Sequence, residues 1–218
     1  MIYRFLDSKY ALLAVAERRL RISRISQLND EFEFIGLALN RKERKDLREM
    51  REHLGRKSGI ISMSSDWHSP LLWAHYADNL RGIALGFEIA GPGFYPVEYR
   101  AVRPTLGDLG LRSLSDITTR QIKSLMRMKF DAWSYEKEVR GFFNFEQGEK
   151  INGEQHFFRS FEGTVSLKRV IVGPRCTVSR STVADALGEL GSDVETIKAR
   201  PAFKSFSIVK NLNEKSWQ

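Results

Sequence analysis

The sequence predicts an α+β fold: a single domain, residues 1–218, whose mixed and largely antiparallel sheets are flanked by helices. Three observations carry this expectation. Short runs of alternating apolar residues recur along the chain, as with Ile83, Leu85, Phe87 and Ile89 in "IALGFEI". Helical stretches with capping signals interrupt them without a strict strand–helix–strand rhythm, which argues against a doubly wound parallel sheet. No composition break, flexible linker or internal repeat divides the 218 residues.

In order, "MIYRF" predicts a short strand, after which Asp7 or Ser8 caps a helix through "KYALLAVAERRL". "RISRI" predicts a strand, "SQLNDEFEF" a turn-rich loop, and a long helix follows to about Leu54. "GIISMSS" alternates Ile60, Ser62 and Ser64 against Ile61, Met63 and Ser65, as a strand does. "SPLLWAHYADN" predicts a helix with Ser69 at the N-cap and Pro70 at its first position. Gly82 turns the chain into the "IALGFEI" strand, "GPGF" is a turn and "YPVEYRAV" another strand.

"SDITTRQIKSLMRMKF" predicts one helix capped by Ser115, with Ile122, Leu125, Met126 and Lys129 toward the core. The aromatic-rich run 133–143, "WSYEKEVRGFF", predicts a strand. Alternation then places Glu136, Glu138 and Arg140 on one face and Tyr135, Lys137 and Val139 on the other. "QHFFRSF" and "TVSLKRVIVG" are strands, "SRSTVADALGEL" a short helix, and "VETIKARP" with "FSIVK" end the chain on strands.

Composition excludes several classes. No apolar run approaches the ~20 residues of a membrane helix. "MIYRFLDSKY" lacks the apolar stretch of a signal peptide. One cysteine, Cys176, rules out a disulfide framework and fits a reducing cytoplasm. The net charge of +8 favours polyanionic partners. Half of that excess lies in 41–57, "RKERKDLREMREHLGRK", with eight basic and four acidic residues. That segment is either a solvated helix laced with charge pairs or a contact surface for RNA or DNA.

The four histidines are scattered, and neither a Cys/His pattern nor H-x-x-x-H occurs, so no metal is expected. Asn29, Asp30, Glu31 and Glu33 could in principle group around a divalent cation, although such a run more often caps a turn. G-x-S-x-G, P-loop and G-x-G-x-x-G motifs are all missing.

Four groups remain: Tyr3-Arg4, Ser62-Met63-Ser64, the helix with Trp73, His75, Tyr76 and Asn79, and Glu136-Lys137-Glu138. With "YRF", "LNDEFEF", "LLWAHYADNLRGIALGFE", "FDAWSYEKEVRGF" and "LKRVIVG", they span nearly the whole chain. In that order they resemble a bacterial family known as domain of unknown function 2971. Glu31 departs from the proline common there after Asn-Asp. At superfamily level, the order arginine, serine-x-serine, glutamate-x-glutamate is similar to that of ADP-ribosyltransferases, which hold NAD in a cleft between two small sheets. That resemblance implies a split-sheet fold and NAD as the substrate cofactor. It also implies transfer to a nucleic-acid or protein acceptor, in a host-defence or toxin setting.

By the same resemblance, Glu138 would stabilise positive charge developing on the ribose and accept from its 2′-hydroxyl. Glu136 would orient or deprotonate the acceptor. Ser62 and Ser64 would bond the ribose or nicotinamide side, Arg4 a phosphate or ribose, and His75 and Tyr76 would line the cleft or stack on a ring. The competing readings are a non-catalytic nucleic-acid- or protein-binding domain, with the two glutamates on a charged outer strand face, and a metal-dependent nuclease.

Overall fold

The computed structural model describes residues 1–213, 215 and 217. Thirteen strands and five α-helices are found among them. The first third of the chain holds β1 (Ile2–Leu6), α1 (Ser8–Ala16), β2 (Arg19–Arg24), α2 (Arg41–Lys57), β3 (Ser58–Ser64) and α3 (Pro70–Tyr76). The middle holds β4 (Ile83–Ile89), β5 (Phe94–Pro96), β6 (Glu98–Arg100), α4 (Thr119–Leu125), β7 (Met128–Phe130) and β8 (Glu138–Asn144). The last part holds β9 (Glu149–Ile151), β10 (Glu154–Ser160), β11 (Val165–Val172), α5 (Arg180–Leu187), β12 (Glu195–Pro201) and β13 (Ile208–Lys210). The fold is α+β, and its pairings are antiparallel except β11–β12 and β6–β7.

β3 organises the main sheet. Along one edge it pairs with β8 over its whole length, from Ser58↔Asn144 to Ser64↔Glu138. The opposite edge is divided between two strands. β2 meets it at Ser23↔Ile60 and Arg24↔Gly59, and β1 meets it at Tyr3↔Ser64. Between those contacts β1 and β2 diverge, so the sheet splits beside Ile61, Ser62 and Met63. β1 carries the outer half β4-β11-β12-β13, and β2 carries β10 and β9.

Alternation sets what each half buries. Ile83, Leu85 and Phe87 of β4 pack with Ala11 and Val15 of α1 and Val183 and Leu187 of α5. On the other face Phe5, Ala84 and Ile171 pack against Trp73 of α3. Trp73 is fully buried, meets the Phe5 ring edge-on at 5.2 Å, and donates its indole N–H to the Trp67 carbonyl at 2.7 Å. A third core joins α2 through Leu47 to Leu106, Leu111, Leu125 and Met128.

Local chemistry corrects several sequence expectations. The run 133–143 is not one strand: 131–136 forms a 3-10 helix, Lys137 turns through φ 44°, and β8 starts at Glu138. The expected helix from Ser115 breaks in two. A 3-10 turn capped by Ser113 precedes α4, which Thr118 and Gln121 cap reciprocally, while Lys129 belongs to a strand. "YPVEYRAV" divides at Val97 into β5, which pairs with β8, and β6, which pairs with β7.

The helix predicted over "SPLLWAHYADN" stops at Tyr76, because Asp78, Asn79 and Leu80 all take positive φ. Non-glycine residues adopt that conformation at a cost. Here it is held by hydrogen bonds from Leu80 N to Trp73 O at 3.1 Å and from Gly82 N to Ala77 O at 2.7 Å.

That turn leaves no room at Gly82, where a Cβ would stand 2.1 Å from the Leu6 carbonyl oxygen. Gly82→Ala is therefore expected to overpack the β1–β4 junction at about 1–3 kcal/mol. In a chain of this size thermal unfolding should register a drop of roughly 2–4 °C per kcal/mol. An unchanged melting temperature would show that the junction yields.

Candidate functional site

The split in the sheet opens into a cavity of about 200 Å³. Arg4, Ser62, Ser64, Tyr76, Glu136 and Glu138 all line it, so six of the seven residues singled out from the sequence meet there. Register explains why the serines face the charges: Ser62 stands opposite Arg140 and Ser64 opposite Glu138 on the paired strands. Arg4 reaches across the gap and donates through Nη1 to the Ser62 carbonyl, the group that no strand pairs on that edge. Burial pulls the Arg4 pKa down, and the Glu138 charge opposes that pull.

The charged pairings are dense. Arg140 is fully buried and engages all five of its N–H donors. Nε and Nη2 donate to Glu138 at 2.8 and 2.9 Å, Nη1 and Nη2 to Glu33 at 2.8 and 2.6 Å, and Nη1 also to the Met126 carbonyl at 2.8 Å. Lys129 Nζ lies 2.6 Å from Glu136, 3.3 Å from Glu138 and 3.7 Å from Glu33. Its ammonium also lies over the Trp133 ring, 4.7 Å from the centroid. Burial works against the Lys129 charge, but the three carboxylates outweigh it and hold its pKa above the usual value.

The carboxylates differ in environment. Burial acts to raise the Glu138 pKa, yet Arg140 and Lys129 overcome it and bring the group down to about 2. Burial wins at Glu33, which is pushed up against the pull of Arg140. Glu136 accepts from the Tyr76 hydroxyl as well as from Lys129. Burial and that carboxylate push the Tyr76 phenol far up, so it serves as a donor. The Glu138 backbone N–H donates to the Tyr99 hydroxyl at 2.8 Å. Burial pushes Tyr99 to about 12.

Glu136 and Glu138 do not share a strand face, as alternation had suggested. The left-handed Lys137 between them swings Glu136 off the strand axis toward Tyr76 and Lys129. The pair is also 5% exposed at each residue, which excludes an outer, solvated strand face. Ser64 lines the cavity, but its hydroxyl is already engaged, donating to the Glu136 carbonyl at 2.6 Å and accepting from Asp66 N at 3.0 Å. His75 stands apart: it is exposed and its Nδ1 pairs with the Tyr135 hydroxyl at 2.9 Å rather than lining the cavity.

Glu33, Lys129 and Tyr99 were not assigned to the site from the sequence. A signal existed for Lys129, an isolated charge between Met128 and Phe130, and for Glu33 between Phe32 and Phe34. The run 29–33 does not converge on an ion. Asn29 bonds Tyr76, Asp30 caps its own turn through Phe32 N, and Glu33 faces Arg140. Among the described residues no three His, Cys, Asp or Glu side chains are placed to hold a metal ion.

Compared with protein-family models, curated proteins and solved structures, the chain matches none.

Two outcomes are expected of this network. Arg140→Met strands two buried carboxylates and should cost about 3–5 kcal/mol in urea unfolding. Adding Glu33→Gln and Glu138→Gln should recover part of the loss, and a single-variant cost below about 1 kcal/mol would contradict the pairing described.

The second outcome concerns acid. The folded Glu138 pKa lies below its ordinary value, so its stabilising contribution is complete above the unfolded pKa. It is then lost as pH falls from about 5 to about 2, on the order of 3 kcal/mol. Glu33, shifted upward, offsets part of that loss. Melting temperatures measured across this window should fall, and the Arg140→Met chain should show a shallower fall.

Proposed function

We propose that the protein is an NAD-dependent, ADP-ribosyltransferase-like enzyme acting on a nucleic-acid or protein acceptor. The supporting observation is the split beside β3, where Arg4, Ser62, Tyr76, Glu136 and Glu138 converge on one cavity in the order arginine, serine, glutamate. At about 200 Å³ the cavity suits the nicotinamide–ribose end of NAD, with the remainder of the dinucleotide over its mouth.

Arg4 uses one N–H on Ser62 and keeps the rest of its fork for phosphate oxygens. In the transfer, the bond between ribose C1′ and the nicotinamide nitrogen breaks, and its electron pair leaves with nicotinamide. A bond from the acceptor oxygen or nitrogen to C1′ forms, and the acceptor's proton passes to Glu136.

Glu138, with its depressed pKa, is a poor base but a permanent anion, and Arg140 fixes its position. That suits electrostatic stabilisation of a cationic sugar without reorganisation. The same pairing supports a second reading, a non-catalytic binding domain in which the network only holds the fold.

Nicotinamide release separates the two. Wild type should release nicotinamide from NAD when offered a nucleic-acid or protein acceptor mixture. Glu138→Gln, assayed well below its melting temperature, should lose about 100-fold or more. Tyr76→Phe, which removes a donor to the buried Glu136, should cost about 1–3 kcal/mol of stability and, assayed well below its melting temperature, turn over more slowly. A wild-type protein that neither binds NAD in calorimetry nor releases nicotinamide with any mixture would leave only the binding-domain reading.

A further inference from the structure

A second cavity, of about 220 Å³, is lined by Phe32, Arg100, Val102, Arg103, Lys129 and Phe130 among others. Lys129 is a wall common to both cavities. Glu33 lines the first and the adjacent Phe32 the second. Phe32 and Phe130 are left 52% and 49% exposed, and Val102 80%. Aromatic rings stranded in water beside arginines are a feature that folding alone does not favour.

The charged residues that line this cavity, Arg100, Arg103 and Lys129, are all basic, although the exposed Glu31 and Asp131 flank the two rings in sequence. The Arg103 guanidinium lies 5.2 Å from the centroid of Phe32 and donates to the Ile35 carbonyl at 2.6 Å. Among the described residues Arg103 has no ion-pair partner, and Arg100 has only an exposed contact with Glu98 at 3.4 Å. Burial and the nearby Arg44 of α2 both lower the Arg103 pKa. The Ala38 N–H donates to the Pro104 carbonyl at 2.8 Å, which ties this loop to the segment entering α2. From there the exposed Arg41, Lys42 and Lys45 extend the basic strip.

We propose that this second cavity binds a base of single-stranded nucleic acid, with the phosphates following Arg100, Arg103 and Arg44 onto α2. A base stacked on Phe32 or Phe130 covers apolar surface, and the backbone charge relieves the mutual repulsion of the arginines. Half-exposed rings lining a cavity can stack on an unpaired base, whereas the bases of a duplex are already stacked on one another. That the strand is the acceptor of the reaction next door rests on the transferase reading; the binding itself does not.

Anisotropy with fluorescent single strands of about 12 nucleotides, RNA and DNA, against a hairpin duplex and an acidic peptide, tests the proposal without NAD. The single strand should bind best. Phe32→Ala with Phe130→Ala, both at exposed positions, should weaken it about 10-fold or more, while the corresponding tyrosine pair, which keeps the ring faces, should bind as wild type. Arg44→Ala with Arg103→Ala should flatten the log–log salt dependence by about 0.7 for each phosphate no longer neutralised.

No single-strand binding, equal affinity for duplex or acidic peptide, an alanine pair that binds like wild type, or a tyrosine pair that fails would each overturn the proposal. Intact binding without nicotinamide release would instead remove only the transferase reading.

Discussion

The guanidinium of Arg140 is the point on which the rest of the structure depends. From its place on β8 it joins three stretches: the 29–34 loop, about a hundred residues away, through Glu33, the end of α4 through the Met126 carbonyl, and the start of its own strand through Glu138. Burying such a group is costly unless every donor is met, and here all five are. Lysine could not replace it, because an ammonium offers three donors from a point and not a planar fork. With Arg140 set, Glu138 is fixed in position and charge, and Lys129 has a defined place among three carboxylates.

The second constraint is topological. One edge of β3 is fully satisfied by β8, so the divergence of β1 from β2 falls entirely on the other edge. A backbone carbonyl left unpaired inside a protein needs a partner. Arg4 supplies it at Ser62, which ties a cationic side chain to the floor of the cavity. The cavity is thus a consequence of how two half-sheets share one strand, and its polar lining satisfies the backbone that the split exposes.

How much of this could be read in the sequence depended on the range of the interaction. Alternation located β3 and β4, and the cap at Asp7 located α1, because those signals lie within a few residues. The Asn152-Gly153 turn of the β9–β10 hairpin was equally local, with φ 53° and 83°, yet β9 was missed in a stretch of mostly polar residues. Glu136 misled because alternation assumes an unbroken strand, and one left-handed lysine broke it. Glu33 and Lys129 were hidden for a different reason: their partners are about a hundred residues away or across a helix, and no local pattern encodes such a pairing. His75 sits beside Tyr76 in sequence, but on a short helix neighbours point in different directions.

The charges lining the first cavity carry one more implication for the proposed chemistry. Three lining carboxylates, Glu33, Glu136 and Glu138, meet two lining cations, Arg4 and Lys129, and a third outside the lining, Arg140, paired with Glu33 and Glu138, so the site is close to neutral as a whole while its two ends differ. Arg140 and Lys129 lie on the carboxylate side and hold Glu138 ionised, whereas Arg4 stands across the gap and, among the described residues, has only the Ser62 carbonyl as its hydrogen-bond partner. A ligand that matches this arrangement is itself divided, anionic where it meets Arg4 and cationic or becoming so where it meets Glu138. Dinucleotides with a charged nicotinamide ring have that division. A simple phosphate would be repelled at one end and a simple cation at the other. The selectivity would then reside in the separation of the two charges, which the shared strand β3 sets.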